Sequence, residues 1–289
     1  MFVMGDRANV QTIQVLSAPF ADSELNSFES LRCAYIKLLS SMQPKVPHSG
    51  GYNPEYVTKL NKVQTFIKTF REESNIDDTY YDMDFEGSLI QSKKVLEWTQ
   101  TAVDKLGKQC PTFHWIFNLI MDSIVHTTSN NAVGGTSSHL VGVLWINPRE
   151  NWSDIDMYEF LVHELGHTLL FLHEWRYGLF TSYERLPDTD TFAKSAIRSQ
   201  MRPMDKAFHS AVVATDVLLL RELIIGHKGK RILHPDTSTL VSMVGQSIKS
   251  IREVNMRQGI LTDYALGILD QCEDKLKKVG KEEKICLHW

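Results

Sequence analysis

The chain has 289 residues, 43% of them hydrophobic, enough to fold one large domain or two small ones around a sizeable core. Its 31 basic and 35 acidic residues leave a formal charge of −4, which excludes a protein drawn as a whole to nucleic acid or to an anionic membrane. Cys33, Cys110, Cys272 and Cys286 form no CxxC pair, which argues against a zinc ribbon or a secreted disulfide scaffold.

The opening stretch, MFVMGDRANV, meets charge early and lacks the apolar core of a signal peptide. No apolar run has the length of a membrane span, so a soluble, cytoplasmic protein with reduced thiols is expected. From Asp22 to Met42, Leu25, Phe28, Leu31, Tyr35, Leu38 and Leu39 recur at helical spacing, with Asp22 or Ser23 as cap. A Pro-, Gly- and Ser-rich break follows from Gln43 to Asn53. A second helix is then expected from Pro54 to Glu73, with Val57, Leu60, Val63, Phe66, Ile67 and Phe70 as its apolar stripe. The acidic segment Asp77 to Glu86 reads as a loop, and Leu89 to Leu106 and Phe113 to Val125 read as helices. Their aromatic residues Trp98, Phe113, Trp115 and Phe117 are explained by core packing.

After His126 the texture changes. Thr127 to His139 is turn chemistry, and LVGVLWINP beyond it reads as a buried strand ended by Pro148. Asn151 to Glu174 is expected to be the central helix, opened by Ser153 with Asp156 three residues on, a capping box. Helices are expected again over Met204 to Ile225, Ser238 to Met256 and Thr262 to Val279, and the final KLKKVGKEEK reads as a solvated charged face. The expectation is one domain, mostly α with a small β-sheet (α+β). Residues 1–125 form its helical N-terminal region and residues 227–289 its helical C-terminal region. Between them, residues 126–226 form a metal-site core, with the HExxH helix packed beside a short sheet in a zincin-like manner.

The central helix carries His163-Glu164-Leu165-Gly166-His167, an HExxH motif. At about 100° per residue, the two histidines lie about 40° apart and one turn along the helix, so both imidazoles reach one divalent metal. Glu164 lies about 60° from His167, within reach of a metal-bound water. Burying these groups in so apolar a helix is costly without a partner such as a metal. If the metal is zinc, Glu164 is the general base of a metallopeptidase, and a third ligand is expected downstream. His173 stands where HExxHxxGxxH places its third histidine, but Leu170 replaces the glycine that turns the helix. The helix is therefore expected to run on, with His173 pointing about 80° away from His163. Glu159, one turn before His163, suits an outer supporting role better than coordination. The segment Ser195 to His209 is the better source of a third ligand. Its Arg198 and Arg202 suit bidentate binding of a dicarboxylate, against the plainer reading of surface ion pairs with Asp205 or Glu184.

Two blocks, LVHELGHTLL at Leu161 to Leu170 and S-x-x-R-x-x-x-R-P-M-D-x-x-F-H at Ser195 to His209, resemble the HExxH-type peptide β-hydroxylases. These are 2-oxoglutarate-dependent enzymes that modify ribosomally made peptides. GGTSSHLVGVLWINP resembles the strand that precedes the metal helix in that family. The resemblance implies iron(II) held by His163, His167 and His209; ligand chemistry by itself, since non-haem iron oxygenases commonly use two histidines and one carboxylate, offers Glu184 or Asp205 in place of His209. The resemblance also implies 2-oxoglutarate bound by Arg202 or Arg198, and Glu164 orienting a ligand, water or the peptide substrate.

Overall fold

The computed structural model describes residues 1–73, 83–84 and 89–279. The expected acidic loop, apart from Met83 and Asp84, and the charged end beyond residue 279 lie outside the described residues. The architecture is mostly helical with a small mixed sheet, in keeping with the α+β expectation. The described residues divide into two compact units: Val10–Tyr158, and Met1–Asn9 together with the chain from Glu159 onward. Among the described residues no helix is long and apolar enough to cross a membrane. Among the described residues no disulfide joins Cys33, Cys110 and Cys272.

In chain order, helix α1 is Asp6–Ser17, which sequence periodicity did not reveal, and α2 is Phe28–Met42. The start of α2 is set by Ser27, whose side chain accepts from the Ser30 amide in a capping box, rather than by Asp22 or Ser23. The expected helix Pro54 to Glu73 divides into strand β1, Glu55–Val57, and helix α3, Leu60–Glu73. Helix α4 is Leu89–Gln109. The expected helix Phe113 to Val125 also divides, into α5, Pro111–Ile120, and strand β2, Ser123–His126. Strand β3 is Gly134–Gly135 and β4 is Val143–Ile146, inside the expected strand.

The second of these corrections has a cause in the sheet. Strand β2 is buried along its whole length and pairs in parallel with β1 on one side and β4 on the other. A strand enclosed in this way is a continuous apolar run, which periodicity cannot tell from a buried helix. The end of α5 is fixed by a residue far away in sequence. Buried Arg32 donates from Nη1 to the carbonyls of Leu119 and Met121, both at 2.8 Å, capturing acceptors that the helix leaves unpaired at its C-terminus. The sheet order is β1-β2-β4-β3.

Helix α6 is Asp154–Tyr177. Its capping box is formed: the Asp156 carboxylate accepts from the Ser153 amide at 2.9 Å and hydroxyl at 2.7 Å. After it come a short hairpin of β5, Ala193–Lys194, and β6, Met201–Arg202, then helix α7, Met204–Leu220. The last turn of that run, Arg221–Ile225, is π-helical. Helices α8, Thr237–Gln258, and α9, Asp263–Leu276, are capped by Asp236 and Thr262 and pack against α7. Helix α7 is buried from Ala207 to Leu220, which makes it the core element of its unit.

Candidate metal centre

Helix α6 runs unbroken through Leu170, so the HExxH residues and His173 occupy one regular helix. His163 Nε2 and His167 Nε2 lie 3.1 Å apart. Two ligands of one ion at about 2.0–2.1 Å stand about 2.8–3.4 Å apart for angles between a right angle and the tetrahedral one. The pair therefore fits two positions of a single metal ion, and the same spacing accommodates an N–H···N hydrogen bond. Burial holds His163 well below the usual imidazole range, with His234 adding to the effect. Burial does the same to His167, reinforced by His163, His209, Lys206 and Arg202. Both rings are thus neutral at neutral pH, the state in which a nitrogen lone pair is available to a metal.

Helix α7 supplies His209 from its second turn. Its Nδ1 lies 3.0 Å from His167 Nδ1, the nitrogen facing away from His163, and the two rings stack at 5.3 Å. His209 is buried, and burial with Lys206 pushes its pKa down to about 3. As placed, His209 braces His167, and coordinating the same ion would require its ring to leave that contact. Among the described residues no three His, Cys, Asp or Glu side chains group as a ligand set. Glu164 is buried, with Oε1 4.0 Å from His163 Nε2. Glu174 Oε2 lies 4.0 Å from His209 Nε2, and burial pushes this carboxyl up to about 7, against a lowering hydrogen bond from Tyr183.

His173 is turned elsewhere, as the unbroken helix requires. It is buried, with Nδ1 2.5 Å from the Tyr264 hydroxyl and Nε2 3.0 Å from Asn9 Oδ1. The two arginines separate. Arg202, on β6, is half-buried and close enough to depress the pKa of His167. Arg198 is in the turn of the hairpin, next to Ser199, whose φ is 52°. That hairpin is tied to α7 by Ser210, whose hydroxyl accepts from the Ile197 amide at 3.0 Å and from the Ser195 hydroxyl at 2.9 Å. Glu184 accepts from Ser182 at the protein surface, while Asp205 pairs with Lys206 at 3.7 Å.

Sequence reasoning missed His234. This buried residue comes from the connection between α7 and α8, and its Nε2 lies 3.3 Å from His163 Nδ1. Its Nδ1 lies 3.0 Å from Glu159 Oε2. Two histidines and two arginines between residues 221 and 234 were the available signal, but nothing in their spacing ties them to a helix some 70 residues earlier.

Compared with known proteins, the sequence matches no family model and no curated protein.

Proposed function

We propose that this chain is an iron(II)- and 2-oxoglutarate-dependent oxygenase that hydroxylates a side-chain carbon of a ribosomally made peptide in the cytoplasm. The observation that carries the metal is the pair of neutral Nε2 atoms 3.1 Å apart on one helix. Support for the anionic cosubstrate comes from Arg202 and Lys206, whose positive charge reaches His167. The peptide as substrate rests on the resemblance of the two sequence blocks.

In this reading His163 and His167 hold the ion, with His209 against the outer nitrogen of His167. Arg202 binds a carboxylate of 2-oxoglutarate, a task its planar fork suits, and Lys206 adds charge. Glu164, an acceptor beside His163, orients a bound water or a donor group of the peptide. The ion and 2-oxoglutarate, when bound, supply the oxidation: dioxygen is split, one atom goes to a peptide carbon as hydroxyl, and the other to the succinate that forms with release of carbon dioxide.

The test is turnover by the iron-loaded protein under reducing conditions with 2-oxoglutarate and a candidate peptide. Succinate and a peptide bearing one added oxygen are expected. Arg202→Ala should weaken 2-oxoglutarate binding by roughly tenfold to a hundredfold, the loss expected for a charge-assisted contact, with little change in Arg198→Ala. Glu164→Gln should retain succinate formation uncoupled from the peptide. Zinc-dependent backbone cleavage abolished by Glu164→Gln, with no succinate from the parent protein, would replace the oxygenase by a metallopeptidase.

A further inference from the structure

Behind His163 lies a buried group of side chains to which the proposed reaction assigns no task. The Glu159 carboxylate, on α6 one turn before His163, is fully buried and receives Arg221 Nε at 2.8 Å on Oε1, Arg221 Nη2 at 2.9 Å on Oε2, and Arg231 Nε at 2.7 Å on Oε1. Arg221 is itself buried, in the π-helical turn that closes the run of α7, and its Nη1 donates to the Pro235 carbonyl at 2.9 Å. Arg231 donates to the carbonyls of Gly226 and His227 at 2.6 and 2.9 Å. The two arginines therefore fold the connection 226–236 back onto α6. The connection in turn delivers His234 into the gap between Glu159 and His163.

The order of contacts has a direction. Glu159, paired with two guanidinium groups, is an ionised carboxylate and can only accept. Burial by itself would raise its carboxyl pKa, but hydrogen bonds from His234 and Arg221 hold it below the ordinary value. As a neutral ring His234 then donates from Nδ1 to Glu159 and carries the lone pair on its Nε2. A bare Nε2 can only accept, so His163 donates from Nδ1, and the lone pair of His163 Nε2 faces His167. We propose that Glu159 and His234, anchored by Arg221 and Arg231, are positioning residues that lock His163 in the Nδ1–H tautomer and so present its Nε2 lone pair to a divalent metal shared with His167. The role rests on the metal reading for its use and on the Glu159–His234–His163 contacts for its existence.

Two measurements separate these. In the metal-free full chain, nitrogen-15 NMR of the imidazoles reports tautomers directly, and His163 is expected as the Nδ1–H form alone. His234→Phe, which keeps a ring in the space but removes both nitrogens, should release His163 into a mixture or into the Nε2–H form. His234→Gln, which retains an acceptor, should restore the Nδ1–H form in part. The second measurement is cobalt(II) titration followed by visible absorption. Wild-type protein should take up one equivalent and His163→Ala none. His234→Phe should bind roughly tenfold to a hundredfold more weakly, the usual cost of removing such an outer partner, with Glu159→Gln in the same direction. An Nε2–H tautomer for His163 in the wild type, or one unchanged by His234→Phe in a protein that keeps its circular dichroism, overturns the relay. Cobalt affinity within twofold of wild type in His234→Phe overturns its service to the metal. No cobalt uptake by the wild type overturns the metal reading, and the NMR result still decides the relay.

Discussion

Neutral buried histidine is the recurrent chemical theme at the scale of single residues, and it has a pH signature. Burial lowers His173 to about 3 and His126 to about 4, from an ordinary value of 6.5. Between those limits the unfolded chain binds a proton that the folded chain refuses. The stability these residues contribute is therefore complete above about pH 6.5 and is lost as pH falls below it. Each such histidine adds a slope of up to about 1.4 kcal/mol per pH unit. Metal-free protein should thus show a urea midpoint that drops steeply between about pH 6.5 and about pH 4. His173→Gln, which removes one titrating ring, should flatten that slope while lowering stability near neutrality. A midpoint flat across this range would mean that these rings are charged in the folded state. Cobalt binding by His173→Gln should match the wild type, because His173 bonds to Tyr264 and Asn9 rather than to the HExxH residues.

Among the elements, α6 and α7 decide the site, and their approach depends on Gly166 within the HExxH motif. A Cβ there would stand 3.1 Å from Val213 Cγ1 and 3.3 Å from Asp216 Oδ2, both on α7. Helix propensity favours alanine over glycine by about 0.8–1 kcal/mol. Crowding a packed interface costs about 1–3 kcal/mol, which outweighs it. Gly166→Ala should therefore destabilise the protein, and it should disturb the His167–His209 contact made across the same pair of helices. Denaturant unfolding checks the first outcome, and the imidazole NMR signals of His167 and His209 check the second. A more stable Gly166→Ala protein would show that α7 yields easily at this point.

At the scale of the whole molecule, the described residues form two units, and the HExxH histidines, His209, Arg202 and His234 all belong to the one that includes Glu159 onward. A ligand that binds only the folded state stabilises by RT ln(1 + [L]/Kd), about 2.7 kcal/mol at a hundredfold excess over Kd. Cobalt(II) or zinc(II) should accordingly slow amide hydrogen exchange in α6 from Glu159 onward, in α7 and in the connection 226–236. The sheet strands β1, β2 and β4 should exchange at an unchanged rate. Hydrogen exchange read by mass spectrometry, with and without a chelator, measures this directly. Equal protection of both units would place the ligand elsewhere than at His163 and His167.

What the sequence determined by itself was local. The Ser153–Asp156 capping box, the unbroken passage of α6 through Leu170, the shared face of His163 and His167 and the averted His173 all follow from 3.6-residue periodicity and short-range hydrogen bonds, and the structure contains each of them. The expected outer role for Glu159 is also in keeping with its contacts, although the residue that links it to His163 was not foreseen. The tertiary structure decided what sequence spacing does not encode. It turned the apolar run Ser123–His126 into a strand because neighbours pair with it on both edges. It brought Arg202 toward His167 while leaving Arg198 in the hairpin turn, set His209 against the outer nitrogen of His167, and folded His234 against His163. These are contacts between residues tens of positions apart, and a buried donor or acceptor is satisfied by whichever partner the packing of the chain delivers, not by its neighbours in sequence.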